Sequence, residues 1–240
     1  MTKKANIAYK YRIFPDENQE ILFTKTFGCC RKIWNLMLDD INKAYKDEHK
    51  KLKPTPAQYK KQYPYLKEVD SLALANVQMN LNKAFSDFYK FRKVGKFRGY
   101  PKFKSRRKSR RSYTTNNQNG TVALGDNFIR LPKAGEVKAV IHRIPDDSWL
   151  LKSATVSQER DGSYYCSVLF EYENNVTPVA LNSDNVIALD YKSDGLYVDD
   201  NGNCPDNHKF YRESAKKLAK AQTKLSRKVG SKKKETKSKN

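Results

Sequence analysis

The sequence predicts an α+β fold, in which an antiparallel β-barrel carries an inserted helical bundle and a further unit follows toward the C-terminus. Side chains alternate between apolar and polar over residues 7–13, and short runs of the same kind recur within residues 113–173, as in half-buried strands. Between these segments apolar residues recur every three or four positions, as in amphipathic helices. Because the first strand needs a sheet to join, we expect residues 1–15 and 106–175 to form one barrel domain, with residues 16–105 inserted as helices.

The inserted segment contains three predicted helices. Asp16, followed by Gln19, resembles a capping box and begins a long helix. Thr55 and Pro56 begin a short helix that is expected to end before Pro64, and a third helix begins near Ser71. The apolar stripe of the first helix is Phe23, Phe27, Cys30, Trp34, Met37, Ile41 and Tyr45, and that of the third is Leu74, Val77, Leu81, Phe85 and Phe88. Both stripes are typical of core packing.

Five short strands are predicted after the helices. Turn signals separate them at residues 125–127, 145–147 and 161–162, where Gly, Pro, Asp and Asn cluster. Several short strands at such spacing are typical of an antiparallel barrel. The predicted strands are residues 121–124, 128–131, 137–141, 150–159 and 163–173.

A third unit, residues 184–240, begins with an apolar strand that ends in Asp190. A hairpin turn at residues 199–202, a basic helix at residues 211–229 and a lysine-rich tail follow. An aspartate in this position is typical of the first element of ribonuclease-H-like nucleases. A lone strand-end aspartate is nevertheless more common as a turn or cap residue.

The charge of the chain is strongly unbalanced. Its 48 Lys and Arg residues against 26 Asp and Glu give a formal net charge of +22. Residues 88–125 contain no acidic side chain, and aromatic residues are interleaved with the cations. Such a segment indicates contact with nucleic-acid phosphates, with a basic disordered linker as the alternative. The residues predicted to contact the nucleic-acid backbone are Lys96, Arg98, Lys102, Lys104, Arg106, Arg107, Arg110 and Arg111.

Other classes of protein are disfavoured by the same sequence. No apolar run approaches the roughly 18 residues of a spanning helix, and the first residues lack the apolar core of a signal peptide. The four cysteines show no CxxC spacing and the three histidines form no ligand motif. We therefore expect a reduced, cytoplasmic protein that handles nucleic acid and has no membrane partner.

Several ordered motifs resemble one known family. Residues 187–198, Ile-Ala-Leu-Asp-Tyr-Lys-Ser-Asp-Gly-Leu-Tyr-Val, resemble the first RuvC motif of the TnpB (OrfB) transposon proteins. Residues 9–15 and 27–31 resemble the helix-turn-helix-like start of that family. Further matches, at residues 99–104, 113–117, 129–133 and 225–231, extend the resemblance over essentially the whole chain.

The resemblance implies a wedge-type barrel, an inserted recognition lobe and the beginning of a RuvC nuclease domain. Members are RNA-guided DNA endonucleases that bind a guide RNA from the transposon end and cut target DNA with carboxylate-bound metal ions, for which Mg²⁺ is the expected cofactor. By motif, Asp190 corresponds to the first catalytic, metal-binding aspartate. The residues that correspond to readers of the motif beside the target are Ser71, Leu72, Ala75, Thr115 and Asn116.

The chain departs from the family pattern at its end. The resemblance implies a later Glu, a CxxC…CxxC zinc ribbon and a final Asp, and none of these occurs before Asn240. We therefore expect no zinc and no DNA cleavage by this chain, whether it is a fragment, a remnant or a shortened binding protein. Two functions stay open: part of an RNA-guided nuclease, or a non-catalytic RNA/DNA-binding module or repressor. The codons that follow residue 240 would separate them.

Overall fold

The computed structural model describes residues 2–49, 51–95, 99–175, 181–182, 186–192 and 195–235. The chain divides into two compact units, Met1–Val176 and Thr177–Asn240. The first contains β1 (Thr2–Phe14), α1 (Glu17–Glu48), α2 (Pro56–Tyr59), a 3-10 turn (Pro64–Lys67), α3 (Ser71–Lys93), β2 (Arg111–Asn116), β3 (Ala123–Leu124), β4 (Phe128–Leu131), β5 (Gly135–Val140), β6 (Leu150–Gln158) and β7 (Tyr164–Asn175). The second contains β8 (Leu189–Tyr191), β9 (Tyr197–Asp199) and α4 (Phe210–Glu235).

A seven-stranded antiparallel sheet organises the first unit, in the order β2-β6-β7-β1-β5-β4-β3. Strand β1 is the central strand: it pairs with β7 from Thr2↔Asn175 to Ile13↔Tyr164, and its last residues also pair with β5. The N-terminal strand thus joins strands that lie beyond the helices in sequence, as predicted. The α+β class and the large antiparallel sheet are confirmed, while the wedge-type barrel and the RuvC-like start stay predictions.

The helices and the sheet share one hydrophobic core. Phe23 and Phe27 of α1 lie 6.1 and 5.9 Å from the ring of Tyr113 on β2, and Phe23 also lies 5.9 Å from Tyr164 on β7. Leu74 on α3 is buried in the same cluster. Burial of these stripes supplies the main driving force for folding. The predicted core role of both helical stripes is therefore confirmed for most of their residues, and the division into a barrel and a separate lobe stays a prediction.

Helix boundaries follow from local chemistry. The Asp16 carboxylate accepts from the backbone N–H of Gln19 at 2.8 Å, and the Gln19 side chain accepts from the backbone N–H of Asp16 at 3.1 Å, so the predicted capping box is present. The short helix α2 ends at Tyr59, earlier than predicted, and Pro64 begins a 3-10 turn instead of ending a helix. Proline is well tolerated in a first turn because its missing N–H would have no partner there.

Strand β2 was not among the predicted strands. Its sequence, Arg-Ser-Tyr-Thr-Thr-Asn, combines polar residues with the end of the cationic run. Tyr113 and Thr115 face the core while Ser112 and Thr114 are partly exposed, and Thr114 forms a hydroxyl pair with Thr155 on β6 at 2.8 Å. The sequence of β2 lacks the apolar alternation of a typical strand, so the strand becomes evident only from its pairing with β6.

The second unit begins with a small hairpin. Strands β8 and β9 pair through Leu189↔Asp199, Asp190↔Val198 and Tyr191↔Tyr197. The Asp199 carboxylate closes the following turn by accepting from the backbone N–H groups of Asn201 and Asn203 at 3.0 and 2.7 Å. Helix α4 extends beyond its predicted end to Glu235. Within the part of the chain that the structure describes, no helix is both long and apolar enough to span a membrane.

Candidate nucleic-acid interface

The segment after α3 is fixed along α1 by its backbone. The indole Nε1 of Trp34 donates to the carbonyl of Lys102 at 3.0 Å. Asn35 brackets Lys104, donating to its carbonyl at 2.9 Å and accepting from its N–H at 2.8 Å. Two residues before Lys102, the Tyr100 hydroxyl donates to the amide oxygen of Asn42 at 2.7 Å. This anchoring favours a formed cationic surface over a disordered linker.

A single helical turn then displays three cations. The backbone N–H of Ser109 donates to the carbonyl of Ser105 at 3.0 Å, and the Ser105 hydroxyl accepts from the N–H of Lys108 at 3.2 Å. Serine commonly closes turns in this way because its oxygen is close to its own backbone. The turn holds the side chains of Arg106, Arg107 and Lys108 exposed to solvent.

Opposite this turn, the connection between β6 and β7 forms the second wall of an open cleft of about 750 Å³, which we call the basic cleft. Pairing of Arg111 with Gln158 across β2 and β6 brings the two walls together. Six Arg or Lys side chains and one carboxylate line the cleft. Its lining residues are Arg106, Arg107, Lys108, Ser109, Arg110, Arg111, Gln158, Glu159, Arg160 and Gly162.

The ion pairs in the basic cleft leave most of its charge uncompensated. Glu159 lies 3.6 Å from Arg110 and 3.2 Å from Lys10, and Arg111 donates to Gln158 at 2.7 Å. Among the described residues, no carboxylate pairs with Arg106 or Arg107. Guanidinium groups form planar, bidentate hydrogen bonds with phosphate, so clustered free arginines suit a phosphate backbone.

The other residues predicted to contact the nucleic-acid backbone lie in different environments. Lys102 is exposed. The ammonium of Lys104 lies 3.8 Å from the centre of the Trp34 ring, and desolvation there lowers the pKa of Lys104. Lys104 therefore serves packing as well as charge. Lys96 and Arg98 lie outside the described residues.

The five residues predicted to read target DNA converge where α3 meets β2. Ser71, Leu72 and Ala75 occupy the first turns of α3, and Thr115 and Asn116 end β2. The link between the elements is Asp70, whose carboxylate accepts from the backbone N–H groups of Leu72 and Ala73 and, at 2.5 Å, from the Thr115 hydroxyl.

The side chains at this junction differ in their exposure to solvent. Ser71 is exposed and accepts from Lys60 at 3.0 Å, whereas Thr115 is fully buried, so an influence of Thr115 on DNA would pass through its neighbours. Asn76 donates to Asn116 at 3.4 Å and was missed in the sequence. Its spacing of four from Leu72, on the same helical face, could have indicated it. DNA contact by this set stays a prediction.

Asp190 is exposed at the centre of β8, opposite Val198. In the described ranges, no three or more His, Cys, Asp or Glu side chains come together as a metal site. The nearby Asp199 is already engaged by its turn. The described residues thus do not fit a two-metal centre, and the Mg²⁺ prediction supports no reaction step here.

A cationic cleft on an α+β scaffold defines a protein suited to binding a polyanion. Residues 1–51 match the family described as "Helix-turn-helix domain", HTH_OrfB_IS605. The chain is 28% identical over 237 residues to "Putative RNA-guided DNA endonuclease" of Streptomyces pristinaespiralis, covering 95% of this chain and 56% of the relative. It is 27% identical over 229 residues to "Putative RNA-guided DNA endonuclease InsQ" of Escherichia coli (strain K12), covering 92% and 54%.

The family match and the two relatives bear out the resemblance to the TnpB (OrfB) proteins that the motifs indicated. The chain spans about half the length of the curated relatives that it matches. The described part of the matched N-terminal segment forms β1 and the single helix α1, not two helices joined by a turn.

Proposed function

We propose that this chain is the nucleic-acid-binding part of a TnpB-type RNA-guided DNA endonuclease, with a guide RNA from the transposon end and target DNA as its partners. The basic cleft is the observation that carries the proposal. Its six cations face one carboxylate, and its arginine-bearing turn is held in place by hydrogen bonds. A turn whose backbone is already held loses little freedom when its arginines meet phosphates, which favours contact with the backbone of structured RNA.

The proposal predicts selective, salt-sensitive RNA binding. In filter binding across a salt series, the chain is expected to bind the end transcript of its own element more tightly than an unrelated hairpin of equal length. Both affinities should fall with added salt, because phosphate neutralisation releases counterions. Equal affinity for both RNAs at every salt concentration would remove the guide-RNA part of the proposal.

A second candidate function is binding without cleavage, as in a module or repressor that acts by occupying its target. The basic cleft supports this function too, because phosphate binding by arginine and lysine needs no metal ligand. The codons that follow residue 240 distinguish the two functions. Codons that read on into a Glu, paired CxxC motifs and an Asp support the nuclease, whereas a stop without those codons supports binding alone.

A further inference from the structure

A second groove lies on the first unit, between α1 and the 3-10 turn that precedes α3. It has a volume of about 440 Å³, within the range of small-ligand sites. It shares no lining residue with the basic cleft. The groove, which we call the Gly28 groove, is lined by Lys25, Gly28, Cys29, Lys32, Tyr65 and Glu68.

Gly28 is an unexpected residue at this place. It lies well inside the 32-residue helix α1, where glycine is less favourable than alanine. A methyl group added at its Cα would meet only the flexible end of the Arg31 side chain, at 4.0 Å. No described neighbour therefore requires glycine. The missing side chain leaves helix backbone open at the floor of the groove, which permits close approach by a group from outside.

The walls of the groove combine cations with aromatic rings. Helical periodicity places Lys25 and Lys32 one turn to either side of Gly28, on the same face of α1. The ammonium of Lys32 lies 4.7 Å from the centre of the Tyr63 ring, and Tyr65 stands beside Tyr63 at 5.9 Å with 43% of its surface exposed. The exposed ring of Tyr65 suits stacking with an unpaired base, and the Lys32 ammonium beside Tyr63 suits a phosphate.

The two lysines differ in their ion pairs. Lys25 pairs with Glu68 at 2.9 Å, which raises the pKa of Lys25 and directs its charge to that carboxylate. Among the described residues, Lys32 pairs with no carboxylate and keeps its N–H donors for an incoming anion. The groove therefore offers one ring, one available cation and an open backbone.

We propose that the Gly28 groove binds one unpaired nucleotide of the RNA held by this protein. The base stacks on Tyr65, the sugar approaches the backbone at Gly28, and the phosphate meets Lys32. The inference rests on the proposed RNA-binding function and adds a single-strand subsite outside the basic cleft. An RNA segment is favoured over a peptide because the chain carries a net charge of +22 and Lys32, in the wall of the groove, has no carboxylate partner among the described residues.

The test uses the full chain and the end transcript of its element. Gly28→Ala is expected to raise the melting temperature by about 2–4 °C through better helix propensity. The same change should weaken RNA binding at least roughly fivefold by blocking the close approach. Tyr65→Ala should weaken binding roughly 5- to 100-fold, the range found for loss of one base stack. Ultraviolet crosslinking of the bound transcript should attach a base to Tyr65.

Matched variants separate the possible outcomes. Ser86→Ala on the exposed face of α3 improves helix propensity away from the groove, and Tyr45→Ala removes an exposed ring elsewhere on α1; neither should change RNA affinity. Wild-type affinity in both groove variants would overturn the subsite while leaving RNA binding by the basic cleft intact. A lower melting temperature for Gly28→Ala would also overturn it. Absence of RNA binding by the unchanged chain would instead refute the proposed function.

Discussion

Replacing Arg106, Arg107, Arg110 and Arg111 together by alanine is expected to flatten the dependence of log affinity for RNA on log salt concentration by up to about three units. Each lost phosphate contact removes roughly 0.7 to 0.9 from the slope. All four side chains are exposed and line the basic cleft. Filter binding with the end transcript between about 50 and 300 mM salt measures the slope directly.

The two halves of this set are expected to differ. Arg106 and Arg107 have no acidic partner among the described residues, so their charge is available to phosphate. Arg110 lies 3.6 Å from Glu159, and Arg111 is oriented by its hydrogen bond to Gln158. The Arg106/Arg107 double variant should therefore lose more of the slope than the Arg110/Arg111 double variant.

A variant with the same loss of charge elsewhere provides the control. Lys51, Lys53, Lys133 and Lys138 are exposed and lie outside the basic cleft. Their joint replacement by alanine is expected to weaken binding only slightly, because it removes long-range attraction that salt screens. Most of the dependence of log affinity on log salt concentration should remain. If both quadruple variants flattened the slope equally, the contact would depend on total charge and the basic cleft would lose its assigned role.

The capping of α1 could be predicted because its determinants are local. Asp16 and Gln19 are three residues apart, and both hydrogen bonds of the capping box form within one turn. The apolar stripe that follows repeats with helical spacing, so its burial was also predictable. Strand β2 could not be predicted in this way, because its pairing partner β6 begins more than thirty residues later.

The candidate site was predictable to the same extent. The density of cations in residues 88–125 identified one wall of the basic cleft. The other wall, with Arg160 and Gly162, depends on the register that pairs Arg111 with Gln158. No local pattern connects segments that far apart. The contact between Asp70 and Thr115 also joins segments that are far apart in sequence. The family resemblance had nevertheless given Thr115 the same predicted role in DNA recognition as residues of α3.

Asp70→Ala is expected to lower the free energy of unfolding of the first unit by about 2–4 kcal/mol. Loss of the helix cap costs about 0.5–2 kcal/mol. The buried Thr115 hydroxyl also loses its partner, and an unsatisfied buried polar group costs about 1–3 kcal/mol. Urea unfolding followed by tryptophan fluorescence measures this change in the first unit alone, because both tryptophans, Trp34 and Trp149, lie there.

Conservative variants test which part of the Asp70 interaction matters. Asp70→Asn keeps an oxygen to cap α3, and its amide can donate to the Thr115 hydroxyl, so its cost should stay below that of Asp70→Ala. Thr115→Val removes only the hydroxyl that joins β2 to α3. A double-mutant cycle between Asp70 and Thr115 should therefore give a coupling energy of about 0.5–3 kcal/mol.

The exposed Asp147→Ala is the matched control and should stay within about 0.5 kcal/mol of the unchanged chain. An equally small effect for Asp70→Ala would contradict the role of Asp70 as a buried link. A large effect has a consequence for recognition, because Asp70 fixes the register between the first turn of α3 and the end of β2. Variants that loosen this link should then weaken any discrimination among target sequences more than they weaken non-specific, salt-sensitive binding through the basic cleft.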